Sequence, residues 1–84
     1  MIIDESVINP LLREIDVMYI EGKLKVNEAE DLSDCINWIK NKSLNESNIN
    51  YVIENLRSYK KFISKEHVCK VINEFRKICG SYLQ

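Results

Sequence analysis

The chain has 84 residues, of which 45% are hydrophobic and 30% are charged, and its net charge at pH 7 is −1. This length predicts one small domain over residues 1–84, and the apolar content excludes intrinsic disorder. Two glycines and one proline provide few tight turns, which argues against a β-rich fold and predicts an all-α domain.

The first predicted helix covers about residues 10–21. Asn9 is a suitable N-cap, and Pro10 fits the first helical position, where its missing N–H costs no hydrogen bond. Gly22 offers a left-handed stop after the helix. The sequence leaves the conformation of residues 2–8 undecided. Asp4 or Ser6 could cap an earlier helical turn, whereas Pro10 disfavours helical geometry at Asn9. The apolar residues with helical spacing are Leu11, Leu12, Ile15, Met18 and Tyr19.

The second predicted helix covers residues 27–41. Asn27 and Glu30 have the spacing of a capping box, preceded by the apolar Val26. The stretch from Asn41 to Ser43 ends the helix. Its predicted buried stripe consists of Leu32, Cys35, Ile36 and Ile39.

The third predicted helix covers residues 45–60, and the fourth covers 64–82. Each begins with an apolar residue before a cap and a second apolar residue five positions after the first, which is the spacing of a hydrophobic staple. These sets are Leu44, Asn45 and Ile49, then Ile63, Ser64 and Val68. The stripe of the fourth helix contains Val68, Val71, Ile72, Phe75, Ile78, Cys79, Tyr82 and Leu83. The short connections predict a small antiparallel four-helix bundle with up-down-up-down topology.

The charges are distributed unevenly along the chain. Residues 1–34 carry nine acidic and three basic side chains, whereas residues 35–84 carry nine basic and four acidic ones. The first half therefore has a net charge of −6 and the second half +5.

The sequence predicts a cytoplasmic protein. No apolar run has the roughly 18 to 20 residues of a membrane span, and the stretch from Met1 to Glu5 lacks the basic start of a signal peptide. The three cysteines are an odd number without CxxC spacing, so we expect free thiols rather than a disulfide framework or a zinc site.

Catalytic chemistry is not indicated. The chain has one histidine and no glycine-rich phosphate loop, so we expect no enzyme, no catalytic residue, no cofactor and no metal. His67 and Cys69 do not form a metal site, because two residues apart on a helix they diverge by about 200°.

Two groups of aromatic and charged residues are candidate protein-binding surfaces. The first is Trp38 with Asp31 and Asp34, which is either an acidic docking patch of the kind hot spots favour or ordinary packing at a bundle seam. The second contains Tyr51, Tyr59, Lys60, Lys61 and Phe62. Its basic groups suit an acidic partner or peripheral contact with an anionic membrane surface.

A third interpretation is DNA binding. Residues 63–72 resemble the start of a helix-turn-helix recognition helix, although Ser58 and bulky Phe62 occupy positions where such motifs carry small residues and glycine. The bases available for phosphate contacts are Arg57, Lys60, Lys61, Lys65 and Lys70. The acidic first half makes nucleic acid the least favoured partner.

A family resemblance rests on a series of residues between Leu11 and about Ile78. In order they are Leu11-Leu12, Ile15, Ile20, an acidic second helix, Ile49, Ile53-Glu54-Asn55-Leu56, Ile63-Ser64-Lys65-Glu66 and Phe75. With this order the chain resembles the immunity proteins of class II bacteriocin producers. The resemblance implies a cytoplasmic four-helix bundle that protects the producer, with Tyr59 to Phe62 and the fourth helix facing a toxin-bound receptor.

A second resemblance covers Tyr19 to about Phe75. The residues are Tyr19, Leu24, Glu28, Leu32, Ile36, Ile39 and Asn48-Ile49. They are similar to those of enterobacterial biofilm and acid-resistance regulators that act as two-component connectors, which implies a regulatory protein able to dimerise. Where that family usually has Leu-Glu, this chain has Leu56-Arg57. Both resemblances imply a small helical protein that binds another protein, such as a toxin, a toxin receptor or a signalling protein.

Overall fold

The structure, a computed structural model, describes residues 2–82 and is built from four α-helices. They are α1 (Glu5–Ile20), α2 (Val26–Asn37), α3 (Glu46–Ser58) and α4 (Lys65–Tyr82), with a 3₁₀ turn (Tyr59–Lys61) after α3. The predicted all-α four-helix bundle is confirmed. Within this part of the chain, no helix has the length and apolarity needed to cross a membrane.

Each helix packs against two neighbours, in the order α1, α2, α3, α4 and back to α1. Trp38, just after α2, stacks on Tyr51 of α3. Asp31, two turns earlier on α2, is close enough to raise the pKa of Tyr59, just after α3. Helices α2 and α3 are therefore antiparallel. Helices α1 and α4 are also antiparallel, because each of the three short connections reverses the chain between helices that pack together. They meet at the ion pair of Lys70 with Glu14, 2.8 Å apart, which raises the pKa of the lysine. One end of the bundle therefore gathers residues 20–26 and 59–65.

The core is apolar throughout the described residues, and no polar or charged residue belongs to the buried class. Side chains from all four helices are fully buried, including Ile15, Leu32, Leu56 and Val71 at 0% exposure. Each buried side chain of this size contributes roughly 1.5 to 3 kcal/mol relative to an exposed one. Charged chemistry is consequently confined to the surface.

Helix α1 begins five residues earlier than predicted. The cap is Asp4, whose Oδ1 accepts a hydrogen bond from the Ser6 N–H at 2.9 Å, so Pro10 lies inside the helix and the prediction of Asn9 as the cap is wrong. An internal proline costs about 3 kcal/mol. The early turn offsets this cost because it buries Val7 and Ile8, which are 4% and 1% exposed. Each buried side chain contributes roughly 1.5 to 3 kcal/mol to the free energy of unfolding.

The stop at Gly22 is confirmed. This glycine has a φ of 77°, and its N–H donates to the Tyr19 carbonyl at 3.0 Å. The next amide, of Lys23, donates to the Met18 carbonyl at 2.8 Å. These bonds satisfy carbonyls at the helix end, and the left-handed conformation they require favours glycine.

Helix α2 also differs from the prediction at both ends. It begins after Lys25, whose backbone N–H donates to the Glu28 carboxylate at 2.8 Å, so Asn27 is not the cap. The apolar residue packed before this cap is Leu24, whereas Val26 is 55% exposed. The helix ends at Asn37 rather than at residue 41, because the chain turns towards the N-terminal segment.

That N-terminal segment pairs with the turn after α2. The Ile3 N–H donates to the Lys42 carbonyl at 2.9 Å, and the Asn41 N–H donates to the Ile3 carbonyl at 2.7 Å. Asn41 has a φ of 67°, which reverses the chain for this pairing. The side chain of Ile3 is 1% exposed, so the segment is anchored by both burial and backbone hydrogen bonds.

The starts of α3 and α4 agree with the prediction to within one residue. The Asn45 side chain accepts from the Asn48 N–H at 2.8 Å, and Leu44 is buried with Ile49. At α4, Ile63 and Val68 are buried at 5% and 0% exposure. Both apolar pairs have the spacing of a hydrophobic staple.

The C-terminal parts of α3 and α4 need small corrections. Helix α3 ends at Ser58, two residues before the predicted end at residue 60, and the chain continues as the 3₁₀ turn to Lys61. On α4, Ile78 is only half-buried and Tyr82 is 46% exposed, so the prediction that Tyr82 belongs to the buried stripe is wrong. Leu83 lies outside the described residues.

The N-terminal anchor can be tested with two neighbouring isoleucines. We expect Ile3→Ala to lower the free energy of unfolding by about 2 to 5 kcal/mol, because it removes a buried side chain. The control Ile2→Ala should change it by less than about 0.5 kcal/mol, since Ile2 is 56% exposed. Urea denaturation followed by circular dichroism measures both values, and equal effects would contradict the anchor.

The Asp4 cap predicts a dependence of stability on pH. The hydrogen bond from the Ser6 hydroxyl, aided by the Ser6 and Val7 amides, lowers the pKa of Asp4 below its ordinary 3.8. A carboxylate with a lowered folded pKa stabilises the protein above the unfolded value, and this contribution is lost as pH falls through the folded pKa. In urea titrations, Asp4→Asn should be less stable than wild type at neutral pH and approach it at acid pH; a difference that does not depend on pH would refute the charge effect.

Candidate functional site

A cleft of about 250 Å³ lies between α2 and α3 and brings together most of the predicted aromatic residues. We call it the aromatic cleft. It is lined by Asp34, Cys35, Trp38, Tyr51, Asn55, Ser58 and Tyr59. Trp38, Tyr51 and Tyr59 were predicted to belong to two separate surfaces, and the antiparallel packing of α2 and α3 places them in one.

Trp38 is held in place from several directions. Its ring packs on Tyr51 with the centroids 4.1 Å apart and the planes tilted by 32°. The Lys42 ammonium lies 4.4 Å from the Trp38 ring centroid and donates to the Trp38 carbonyl at 2.8 Å. The indole is half-buried against the core, whereas Tyr51 is 49% exposed. Trp38 therefore packs at the seam between α2 and α3, and its exposed part lines the cleft. Its role in partner binding stays a prediction.

The acidic residues predicted beside Trp38 give the cleft a negative field. Asp34 lines it, and Asp31 lies one helical turn earlier on α2, with both side chains exposed. Burial raises the pKa of Tyr59, and the charges of Asp31 and Asp34 raise it further. Tyr59 therefore stays a neutral phenol in the cleft at physiological pH. The site combines apolar ring faces, the hydroxyl groups of Tyr51, Ser58 and Tyr59, the Asp34 carboxylate in the lining and the Asp31 carboxylate nearby.

The thiol in the cleft wall is poorly suited to nucleophilic chemistry. Burial raises the pKa of Cys35 to about 11, and its Sγ donates to the Val52 carbonyl at 3.7 Å. A thiol with this pKa is almost entirely protonated at neutral pH, and the thiolate is the reactive form. No group of three or more His, Cys, Asp or Glu side chains in residues 2–82 is arranged to hold a metal ion.

The remaining predicted site residues lie outside the cleft. Arg57 forms an ion pair with Glu54 on the same helix, with Nη1 and Oε1 2.5 Å apart. Phe62 is 80% exposed beyond the 3₁₀ turn, at the end of the bundle. The lysines of that region, Lys60, Lys61 and Lys65, accompany it there.

Sequence reasoning missed two polar residues of the cleft. Asn55 and Ser58 line it beside the tyrosines of α3 and the following turn. They stand four and seven positions after Tyr51, on the same helical face. That spacing is the signal that would have identified them.

A larger and more open hollow of about 670 Å³ runs along α4. It is lined by Glu66, Cys69, Lys70, Asn73, Glu74 and Lys77. Two of its lysines are already paired, Lys70 with Glu14 at 2.8 Å and Lys77 with Glu74 at 3.4 Å. Of the five bases considered for phosphate contacts, Arg57 and Lys70 are therefore paired, whereas Lys60, Lys61 and Lys65 appear in no ion pair of residues 2–82, and the DNA-binding interpretation stays a prediction.

The aromatic cleft is the better candidate for a protein-binding site because Trp38, Tyr51 and Tyr59 line it, and tryptophan and tyrosine are enriched among binding hot spots. No family model matches the chain, and neither the curated proteins nor the solved structures compared with it give a match.

The contact between Trp38 and Tyr51 can be measured by a double-mutant cycle. We expect Trp38→Ala and Tyr51→Ala to be coupled by about 0.5 to 1.5 kcal/mol in the free energy of unfolding, because paired aromatic rings attract each other beyond simple burial. A control cycle combines Trp38→Ala with Tyr19→Ala, which alters an exposed side chain of α1. The two changes in the free energy of unfolding should be additive to within about 0.5 kcal/mol. Urea denaturation followed by circular dichroism provides all the values, and additivity in the first cycle would contradict the stacking.

Proposed function

We propose that this protein is a non-enzymatic binding module that holds one copy of another protein in the aromatic cleft. The observation that carries the proposal is the convergence in one partly exposed site of Trp38 from the end of α2, Tyr51 from α3 and Tyr59 from the 3₁₀ turn. Aromatic side chains in partly desolvated pockets are typical of binding hot spots, because they bury much area with little loss of conformational entropy.

The chemistry of the cleft favours a positively charged segment of the partner. Asp31 and Asp34 supply two exposed carboxylates that are not engaged in ion pairs within residues 2–82. Arginine and lysine side chains also bind to aromatic faces. The side of Trp38 occupied by Lys42 already shows this kind of contact. Because Lys42 and Tyr51 already contact the Trp38 ring, a basic segment would contact the exposed Tyr51 ring together with the two carboxylates.

The biological role we favour is immunity, in which the protein neutralises a toxin by stoichiometric binding in the cytoplasm. Its support is the resemblance to bacteriocin immunity proteins, which implies that Tyr59 to Phe62 and the fourth helix face a toxin-bound receptor. Of these residues Tyr59 lines the cleft, where the charges of Asp31 and Asp34 act on it. The three free thiols, Cys35, Cys69 and Cys79, suit a reducing compartment.

The proposal is tested with the purified chain and the product of a toxin gene encoded beside its own. Trp38 is the single tryptophan, so its fluorescence reports binding directly. We expect saturation at one toxin per chain. The double variant Asp31→Asn/Asp34→Asn should weaken binding about tenfold or more, because both rim charges are lost. Tyr59→Ala should weaken it by a similar factor while leaving helicity unchanged.

The matched controls are Asp16→Asn, an exposed carboxylate on α1, and Tyr19→Ala, an exposed aromatic on the same helix. Both should bind as wild type does, and a sensitive cell expressing wild type or either control should survive the toxin. Equal weakening by the controls would overturn the cleft as the site. A chain that binds no toxin and instead increases in mass with concentration would overturn immunity and support the dimeric regulatory connector.

A further inference from the structure

The end of the bundle opposite the chain's N-terminal anchor carries exposed apolar side chains. It is formed by the C-terminus of α1, the N-terminus of α2 and the turn between α3 and α4. Phe62 is 80% exposed and Ile20 is 78% exposed, the two highest values among the large hydrophobic residues of residues 2–82. Val26 at the same end is 55% exposed. Such side chains normally mark a contact surface when they gather in one region.

The same end also carries basic side chains that have no acidic partner. The ion pairs of residues 2–82 engage Lys23, Lys40, Arg57, Lys70 and Lys77. Lys25, Lys60, Lys61 and Lys65 are absent from these pairs, and all four lie at this end. We call the four lysines together with Ile20, Val26 and Phe62 the basic end.

Two of the three glutamates within this end are already engaged. Glu21 pairs with Lys23 at 3.4 Å, and the Glu28 carboxylate accepts from the Lys25 amide. The third is Glu66, in the first turn of α4. Residues 20–28 and 59–66 together contain five lysines and three glutamates, a net charge of +2. Glu30 and Asp31 follow on α2, and Asp31 is close enough to Tyr59 to raise its pKa, so the basic end borders an acidic stretch of α2.

We propose that the basic end docks on an anionic lipid surface, with Phe62 and Ile20 entering the interface and the lysines facing the headgroups. Two observations favour a membrane over an acidic protein. The apolar side chains stand at an end of the bundle rather than in a groove, and they are accompanied by lysines on both sides of the turn, from Lys60 and Lys61 to Lys65. Amphipathic surfaces that bind membranes combine apolar insertion with basic groups in this way.

The basic end and the aromatic cleft are separate surfaces, since none of the residues of the basic end lines the cleft. Docking would therefore leave the cleft open to a protein partner. Membrane binding does not depend on the proposed immunity function, and either proposal can fail alone.

The test is co-sedimentation of the full chain with vesicles of phosphatidylcholine alone or with phosphatidylserine. We expect binding to the anionic vesicles only, decreasing as salt is added because counterions screen the attraction. Each lysine near an anionic surface contributes about fivefold to the partition constant, so Lys61→Gln/Lys65→Gln should weaken binding about 25-fold. Phe62→Ser should weaken it further when combined with that pair.

The matched control is Arg13→Gln/Arg76→Gln, which removes two exposed bases from α1 and α4, away from the basic end. It should bind within about twofold of wild type if position rather than total charge matters. Circular dichroism confirms that each variant folds. Equal loss in both double variants, equal binding to neutral vesicles, or no binding to either vesicle would overturn the proposal. Tighter binding to soluble polyglutamate than to anionic vesicles would overturn it in favour of an acidic protein partner.

Discussion

The structure depends on burying apolar stripes from four helices in a core that, over residues 2–82, contains no buried polar or charged residue. A chain of 84 residues buries a smaller fraction of its unfolded surface than a larger domain does, so its free energy of unfolding is small. The three cysteines are free, so no covalent link adds to stability. Burial of Ile3 in the N-terminal segment matters for this reason, because one more buried side chain is a substantial share of the free energy of unfolding of a small domain.

Helix number and fold class followed from the sequence, since hydrophobic periodicity and caps act locally and each helix carries both. The starts of α3 and α4 were predictable because Asn45 and Ser64 lie between apolar residues with the spacing of a staple. The start of α1 was not, because Asn9-Pro10 is a strong local signal for a helix start and the burial of Val7 and Ile8 overrides it. This is tertiary packing prevailing over local preference.

The candidate site was predictable in its residues but not in its assembly. Trp38 and Tyr59 stood out from the sequence, yet their joining depends on the antiparallel register of α2 against α3. That register comes from packing across the bundle, which periodicity alone does not specify. The negative field at Tyr59 follows from the same register, because it brings Asp31 and Asp34 of α2 towards the end of α3.

The pairing of Ile3 with residues 41 and 42 links the beginning of the chain to the turn that carries Lys42, the residue lying over the Trp38 ring. One wall of the aromatic cleft is therefore buttressed by a segment nearly forty residues away in the sequence. An affinity tag fused at the amino end would be joined next to the proposed site, whereas a fusion after α4 joins the chain at a helix that lines no part of the cleft.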